Sequence, residues 1–346
     1  MAPTTFKQWT LDGQNGIESL VCNDVELPTE VGDHDVLLKI HAASLNYRDL
    51  AIAKGSNGLV IKHNVVPGSD GAGVIISTGK LVKSFAVGDK VVTHMLPNFP
   101  DNTFPSMAEI GAGLGHAIDG TIREYGLFDE SALVHMPKNL SFEEAATLTC
   151  SGLTAWNALF GGGKTLGEED TVLTQGTGGV SIAALQFAHA SGATVISTTS
   201  SDAKAARLII LGASHTINYR KIPSWGEEAR SLSSGKLGIA NVVDVGGLST
   251  LAESLKAVKV QGVVTLTGVL GDGKPPSLMD ALWRVCSIRG VILGTKRQFE
   301  EMVRFVEQHD IIPVVDERVF GIDEVEEAFE WIKEQKHFSK VVIKMV

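Results

Sequence analysis

From Thr171 to Ser181 the chain reads Thr-Val-Leu-Thr-Gln-Gly-Thr-Gly-Gly-Val-Ser. An apolar, strand-like run meets Gly176, Thr177, Gly178 and Gly179, and Val180 then opens an apolar helical pattern. Glycines let the backbone turn sharply and let an anion approach closely. The free N–H groups and the dipole of the following helix then hold that anion. A Gly-X-Gly alone is common in turns. Here a strand precedes it, a helix follows and a second strand comes next, which is the setting of a pyrophosphate cradle for a dinucleotide. Ser181 stands where a third glycine would be, and is still small enough for close packing.

For NAD, the second strand should end on a carboxylate about 20 residues further on. It ends Val195-Ile196-Ser197-Thr198-Thr199-Ser200-Ser201, and the first carboxylate is Asp202. A carboxylate beside the ribose would repel a 2′-phosphate by about 4 kcal/mol at close range in an intermediate dielectric. The hydroxyls of Thr199, Ser200 and Ser201, with Lys204 just behind, favour NADP(H). Ser200 and Ser201 are equally suited to cap the next helix.

The elements around these residues alternate from about residue 150. Strands are expected at 170–174, 194–198, 215–218, 241–245, 262–267 and 287–293, with helices at 180–190 and 203–211 between them. Six strands with crossovers is the count of a doubly wound dinucleotide fold. The window Thr171–Ser201 has no Asp, Glu, Lys or Arg. Its glycines, Gln175, Gln186, His189 and many hydroxyls speak for a buried strand–helix–strand unit and against a membrane span. The first 150 residues read as β-rich, with short runs at 36–40, 73–76 and 88–92, an irregular lobe or loop at 95–120, and a helix starting at Phe142 behind a Ser141/Glu144 capping box. Helices at 299–309 and 324–334 and a strand at 340–344 close the chain.

At 346 residues the chain is long enough for two domains. A net charge of −10 with scattered basic residues gives no phosphate-tracking stripe, so neither nucleic acid nor an anionic membrane is an expected partner. Cys22, Cys150 and Cys286 are too few and too dispersed for a disulfide framework, which suits a reducing, cytoplasmic setting. The segment from Met1 to Gly16 carries Lys7 and Asp12 and no apolar stretch, so no secretory leader is expected.

Five stretches, in this order, resemble the medium-chain dehydrogenase/reductase superfamily: Ala43–Asp49, Pro67–Gly73, Val87–Val91, Gly120–Tyr125 and the glycine loop. The likeness runs from about residue 30 to the C-terminus. It is nearest to the zinc-independent branch, the quinone oxidoreductases and zinc-type alcohol dehydrogenase-like proteins. It implies an α/β chain of two domains. A β-rich GroES-like catalytic domain would comprise residues 1–148 and 297–346, and a Rossmann doubly wound parallel sheet residues 149–296. In the zinc enzymes a Cys ligand stands where this chain has Asn46, and a His-Glu pair where it has Ser69-Asp70. Only Cys150 matches a ligand position. Residues 95–120 lack the four cysteines of a structural zinc lobe, so no metal site is expected.

The same positional likeness implies further roles. Thr154 would lie against the nicotinamide, and Tyr219 near the adenine-ribose phosphate. Gly246, Gly268 and Val269 would face the cofactor from strand ends, and Lys340 would meet the pyrophosphate unless it is merely a solvated charge. Asn46 would reach the nicotinamide ribose or a substrate carbonyl. Arg48 replaces the hydroxyl of the zinc enzymes' proton relay. Tyr47 is a proton donor or packs on the cofactor, and Asp49 is a polar catalytic candidate or a structural acceptor. Met95, Phe99, Trp283 and Phe299 could wall the pocket, or belong to the core.

The expected activity is zinc-independent, NADPH-dependent hydride transfer to a small conjugated acceptor, a quinone or an α,β-unsaturated carbonyl. Such an acceptor spreads the developing negative charge without a Lewis acid. The alternatives are a zinc-independent alcohol dehydrogenase or carbonyl reductase, and a non-catalytic dinucleotide-binding structural or sensor protein. The branch also implies a homodimer that pairs the sheet edge at 287–293.

Overall fold

The computed structural model describes residues 3–55, 61–163, 165–269 and 271–345. The chain forms two compact units: a terminal unit, Met1–Ser151 with Thr295–Val346, and a central unit, Gly152–Gly294.

In the central unit, Thr171–Gln175, Thr194–Thr199, His215–Asn218, Ile239–Asp244, Val258–Leu266 and Ser287–Gly290 form one parallel sheet. In space they run third, second, first, fourth, fifth, sixth, the doubly wound order. A sheet covered on both faces takes continuous apolar strands, and Val172, Leu173, Val195, Ile196, Val242 and Val243 are fully buried. The charge-free helix Gly179–Ala190 buries Ile182, Leu185 and Phe187. Each such side chain contributes about 1.5–3 kcal/mol of transfer free energy. Among the described residues no helix is long and apolar enough to cross a membrane.

Some boundaries differ from the sequence reading. The fifth strand starts at Val258, not at residue 262, because Gln261 takes a left-handed φ of 59° and keeps the ladder running through an irregularity. The sixth ends at Gly290, and Leu293 turns left-handed at φ 58°. Helices Trp225–Leu232 and Leu251–Ala257, each about two turns long, escaped the sequence reading, although Ser224/Glu227 and Thr250/Glu253 carry the spacing of a capping box.

In the terminal unit Asp35–Ser44 is the organising strand. It pairs antiparallel with Asp70–Thr78, Tyr125–Asp129 and Val342–Lys344. Lys90–Thr93, Leu133–His135 and Phe320–Gly321 complete a seven-stranded sheet among the described residues. Leu38, Ile40, Ile75, Leu133, Phe329 and Ile343 lie in its core. The hairpin Thr5–Leu11/Leu20–Glu26 escaped the sequence reading, since its outer strand is mostly exposed and lacks an apolar alternation. Residues 95–120 hold a short helix, Met107–Gly111, started by a Ser106/Glu109 capping box.

Candidate active site

In the central unit, strand order reverses between Thr171–Gln175 and Ile239–Asp244. Open α/β sheets bind ligands at the carboxyl ends of the strands at such a switch point. The glycine loop leaves the first of these ends. Gly176 has φ 74°, which favours glycine. A Cβ on Gly176 or Gly178 would meet nothing within 4 Å. Their missing side chains leave open space in front of the helix N-terminus, so this loop fits a dinucleotide. Gly178 is the N-cap of the helix, and Gly179 and Val180 form its first turn. Thr177 lies half-buried in the loop. The Ser181 hydroxyl donates to the Gln175 carbonyl at 2.5 Å and ties the turn to the strand.

Behind the loop lies a network that sequence reasoning missed. Asp244, fully buried, accepts from the Gly246 and Gly247 N–H groups, from the Thr250 and Ser254 hydroxyls, and from Gln175 Nε2. Its signal in the sequence was an acid at a strand end with a pair of glycines beginning two residues later, Asp244-Val245-Gly246-Gly247. Gly246 and Gly268 have packing reasons of their own. A Cβ on Gly246 would stand 2.5 Å from the Thr250 side chain, and one on Gly268 would stand 2.3 Å from the Val245 carbonyl oxygen. Val269 is exposed, and Thr154 is buried in the helix Leu153–Phe160.

Thr199, Ser200, Ser201, Lys204 and Tyr219 gather at the ends of two neighbouring strands, because Asn218 pairs with Thr199 and the Tyr219 N–H donates to the Thr199 carbonyl at 3.0 Å. Thr199 Oγ1 accepts the Ser201 N–H, and Ser201 caps the helix Asp202–Ile210 through the Lys204 N–H. The Asp202 carboxylate is paired with Lys221 at 2.6 Å and accepts from Asn218 Nδ2. Lys221 is a basic neighbour that the sequence reading did not include.

In the terminal unit three strands bring a second cluster together. Ser44 lies opposite both Asp70 and Val342. Lys340, two residues before Val342, therefore passes the end of the organising strand, where Leu45 and Asn46 follow. Its side chain is 4% exposed, and Nζ donates to Leu45 O at 2.8 Å, Asn46 Oδ1 at 2.5 Å and Asp70 Oδ2 at 3.2 Å. These three bonds use all three ammonium protons. A pyrophosphate contact would need one of them to break. Asp70 also accepts from the Ser69 hydroxyl at 2.8 Å and the Cys150 N–H at 3.3 Å.

Asn46 Oδ1 receives a second bond from the Ser151 hydroxyl at 3.3 Å. Asn46 is 8% exposed, and its Nδ2 has no hydrogen-bond partner. Tyr47, 57% exposed, opens the helix Tyr47–Ala53. Asp49 Oδ2 accepts the Asn46 backbone N–H at 2.7 Å, and Oδ1 lies 3.7 Å from Arg48. Burial raises the Asp49 carboxyl to about 6 against the pull of Arg48. Of the suggested pocket walls, Met95 and Phe299 belong to the core and Trp283 is largely exposed.

The zinc positions implied by the resemblance do not fit a metal. They hold an amide (Asn46), a hydroxyl (Ser69) and a thiol (Cys150) that burial and the Asp70 carboxylate push up to about 12. An ammonium already occupies the Asn46–Asp70 donor set. Among the described residues no group of three or more His, Cys, Asp and Glu could hold a metal ion.

The family model for the alcohol dehydrogenase GroES-like domain matches residues 32–138, and that for zinc-binding dehydrogenases matches residues 179–308. A zinc-type alcohol dehydrogenase-like protein of Schizosaccharomyces pombe is 43% identical over 96% of this chain and 97% of its own length. An acryloyl-coenzyme A reductase of Sulfurisphaera tokodaii is 29% identical over 90% of this chain and 93% of its own. A crystal structure from Sinorhizobium meliloti, provisionally named an alcohol dehydrogenase, superposes with TM-score 0.92 at 34% identity over the whole of both chains. The chain therefore belongs to the medium-chain dehydrogenase/reductase superfamily, in its alcohol dehydrogenase-like branch, a family of oxidoreductases that bind a nicotinamide dinucleotide.

Proposed function

We propose that the protein is a zinc-independent, NADPH-dependent reductase that transfers hydride to a conjugated carbonyl acceptor, a quinone or an α,β-unsaturated carbonyl. The observation that carries this reading is Asn46: a buried amide whose oxygen is engaged twice and whose Nδ2 has no partner. The nicotinamide, when bound, supplies the hydride. Asn46 Nδ2 donates to the acceptor oxygen as negative charge builds there. One such preorganised donor is worth about 10²–10³ in rate. A neutral donor suits a conjugated acceptor, whose charge is already delocalised, better than it suits an isolated carbonyl, which needs stronger polarisation. The exposed Tyr47 phenol is the candidate proton source.

The Gly176–Val180 loop would hold the pyrophosphate, and Gly246, Gly268, Val269 and Thr154 would border the remainder of the cofactor. The hydroxyl and basic residues at Thr199–Lys204 and Tyr219 would receive a 2′-phosphate, and Asp202, the first acid after the strand Thr194–Thr199, is ion-paired with Lys221. The acryloyl-coenzyme A reductase among the relatives supports alkene reduction. A second reading, a zinc-independent alcohol dehydrogenase or carbonyl reductase, is favoured by the name of the Sinorhizobium neighbour.

Steady-state NADPH oxidation with a panel of quinones, enones, aldehydes and alcohols separates the readings. Turnover of enones or quinones far above simple aldehydes is expected. Preference for aldehydes or alcohols would establish the second reading, and no turnover of any member would leave a binding protein.

A further inference from the structure

We propose that Lys340 is a positioning residue: its ammonium acts as the resident cation of the terminal unit, turning the Asn46 amide so that Nδ2 is offered to the acceptor, and keeping a divalent metal out. The proposal rests on the reading of Asn46 given above. Lys340 has donors and no acceptor, so only the oxygen of the Asn46 amide can face it. The Ser151 hydroxyl reaches the same oxygen, at 3.3 Å. The amide orientation is thereby decided by its partners and not by an arbitrary choice between O and N. The consequence is that Nδ2 is buried without an acceptor. Such orphaned groups are rare in native interiors and call for an explanation, which a ligand oxygen supplies.

The charge balance points the same way. Lys340 and Asp70 neutralise one another at 3.2 Å with side chains 4% and 0% exposed. A divalent ion drawn to the oxygens of Asn46 and Asp70 would have to displace a bonded ammonium or sit beside it, and two unscreened cations repel strongly in a buried setting. The family's metal chemistry is thus replaced by a fixed monovalent charge that acts through an amide.

Two variants test this, Lys340→Met and the charge-neutral double variant Lys340→Met/Asp70→Asn, each first checked for cooperative thermal unfolding. The double variant guards against misfolding caused by an uncompensated Asp70. The first measurement uses the protein without cofactor or acceptor. The side-chain amide 1H–15N resonances of Asn46, assigned by their loss in Asn46→Asp, should move in both variants. Unchanged resonances in both would overturn the positioning role. The second compares acceptor kcat with NADPH affinity. We expect kcat to fall about 10- to 100-fold while the NADPH dissociation constant stays within about twofold. A weakened NADPH affinity with kcat intact would make Lys340 a pyrophosphate ligand and end the proposal.

The third measurement concerns metal exclusion. Asn46→Cys/Ser69→His is titrated with Co2+ with and without Lys340→Met, following the visible absorption of bound cobalt. Binding only when Lys340 is removed is expected, and equal binding in both would refute exclusion. If the unmodified protein reduces no quinone or enone, the acceptor reading fails. The resonance and cobalt measurements still decide the role of Lys340.

Discussion

The Asp244 carboxylate, fully buried, accepts a hydrogen bond from Gln175 Nε2 at 3.2 Å, and so joins the carboxyl ends of the two strands between which the strand order reverses. Val245 N–H returns a bond to Gln175 Oε1 at 3.3 Å. The floor beneath the glycine loop is therefore held by side chains that need not touch the ligand. Hydrogen bonds to a charged group are worth about 1.5–3 kcal/mol each, and stranding several donors is costly. Asp244→Ala should lower the unfolding free energy by at least about 3 kcal/mol and weaken dinucleotide binding. Urea unfolding with and without NADPH checks both, and an unchanged midpoint would contradict this role.

NADPH should bind more tightly than NADH. A charge-assisted contact contributes about 1.5–3 kcal/mol, and each 1.4 kcal/mol is about tenfold in affinity. Lys204→Ala should weaken NADPH roughly tenfold, less where solvent screens the contact, and leave NADH nearly unchanged. Thr199→Asp should shift preference towards NADH. Dissociation constants for both cofactors in the three proteins are the measurement. Equal weakening of both by Lys204→Ala would remove the 2′-phosphate assignment.

Asp49 should give stability a defined pH dependence. Burial raises its carboxyl to about 6 in the folded protein, against about 3.9 in an unfolded chain. Between these values the folded state binds more protons, so this group's contribution is fully present below about pH 4 and lost as pH rises through about 6. The loss totals roughly 3 kcal/mol. Asp49→Asn should keep an acceptor for the Asn46 N–H and remove that slope. The check is the difference in unfolding free energy between the two proteins from pH 4 to 6.5. A difference that stays flat would mean Asp49 titrates normally.

The purified protein should carry no stoichiometric zinc, and chelators should leave its activity intact. The reason is the donor chemistry at Asn46, Ser69 and Cys150 together with the ammonium of Lys340. Elemental analysis finding one tightly held zinc per chain, with activity lost on its removal, would defeat this.

A homodimer is expected through the sheet edge of the central unit. Among the described residues Ser287–Gly290 pairs only with Val258–Leu266, so within them its other side is open. An open edge templates uncontrolled pairing unless it is covered, and the adjoining helix Met279–Arg284 exposes Leu282 and Trp283. Sedimentation at micromolar concentration should report a dimer. Monomer alone would argue that this edge is left bare.

Local chemistry made the central unit legible from sequence. A strand, a glycine turn and a helix are adjacent in the chain, and apolar runs of strand length mark a sheet buried on both faces. The loop Gly176–Val180 and the hydroxyl cluster at Thr199–Ser201 could therefore be read directly, as could the alternation that places them. The environment of Lys340 could not. In sequence it is a lone basic residue before a short apolar strand. Only the antiparallel pairing of Val342 with Ser44, and of Ser44 with Asp70, carries it to Asn46 and Asp70 across nearly the whole chain. The same holds for Asp244 and Gln175, whose meeting depends on the first strand lying beside the fourth. Periodicity reports which face of an element is buried. Which residues meet at the ends of elements is decided by strand order and register, and these are properties of the tertiary fold.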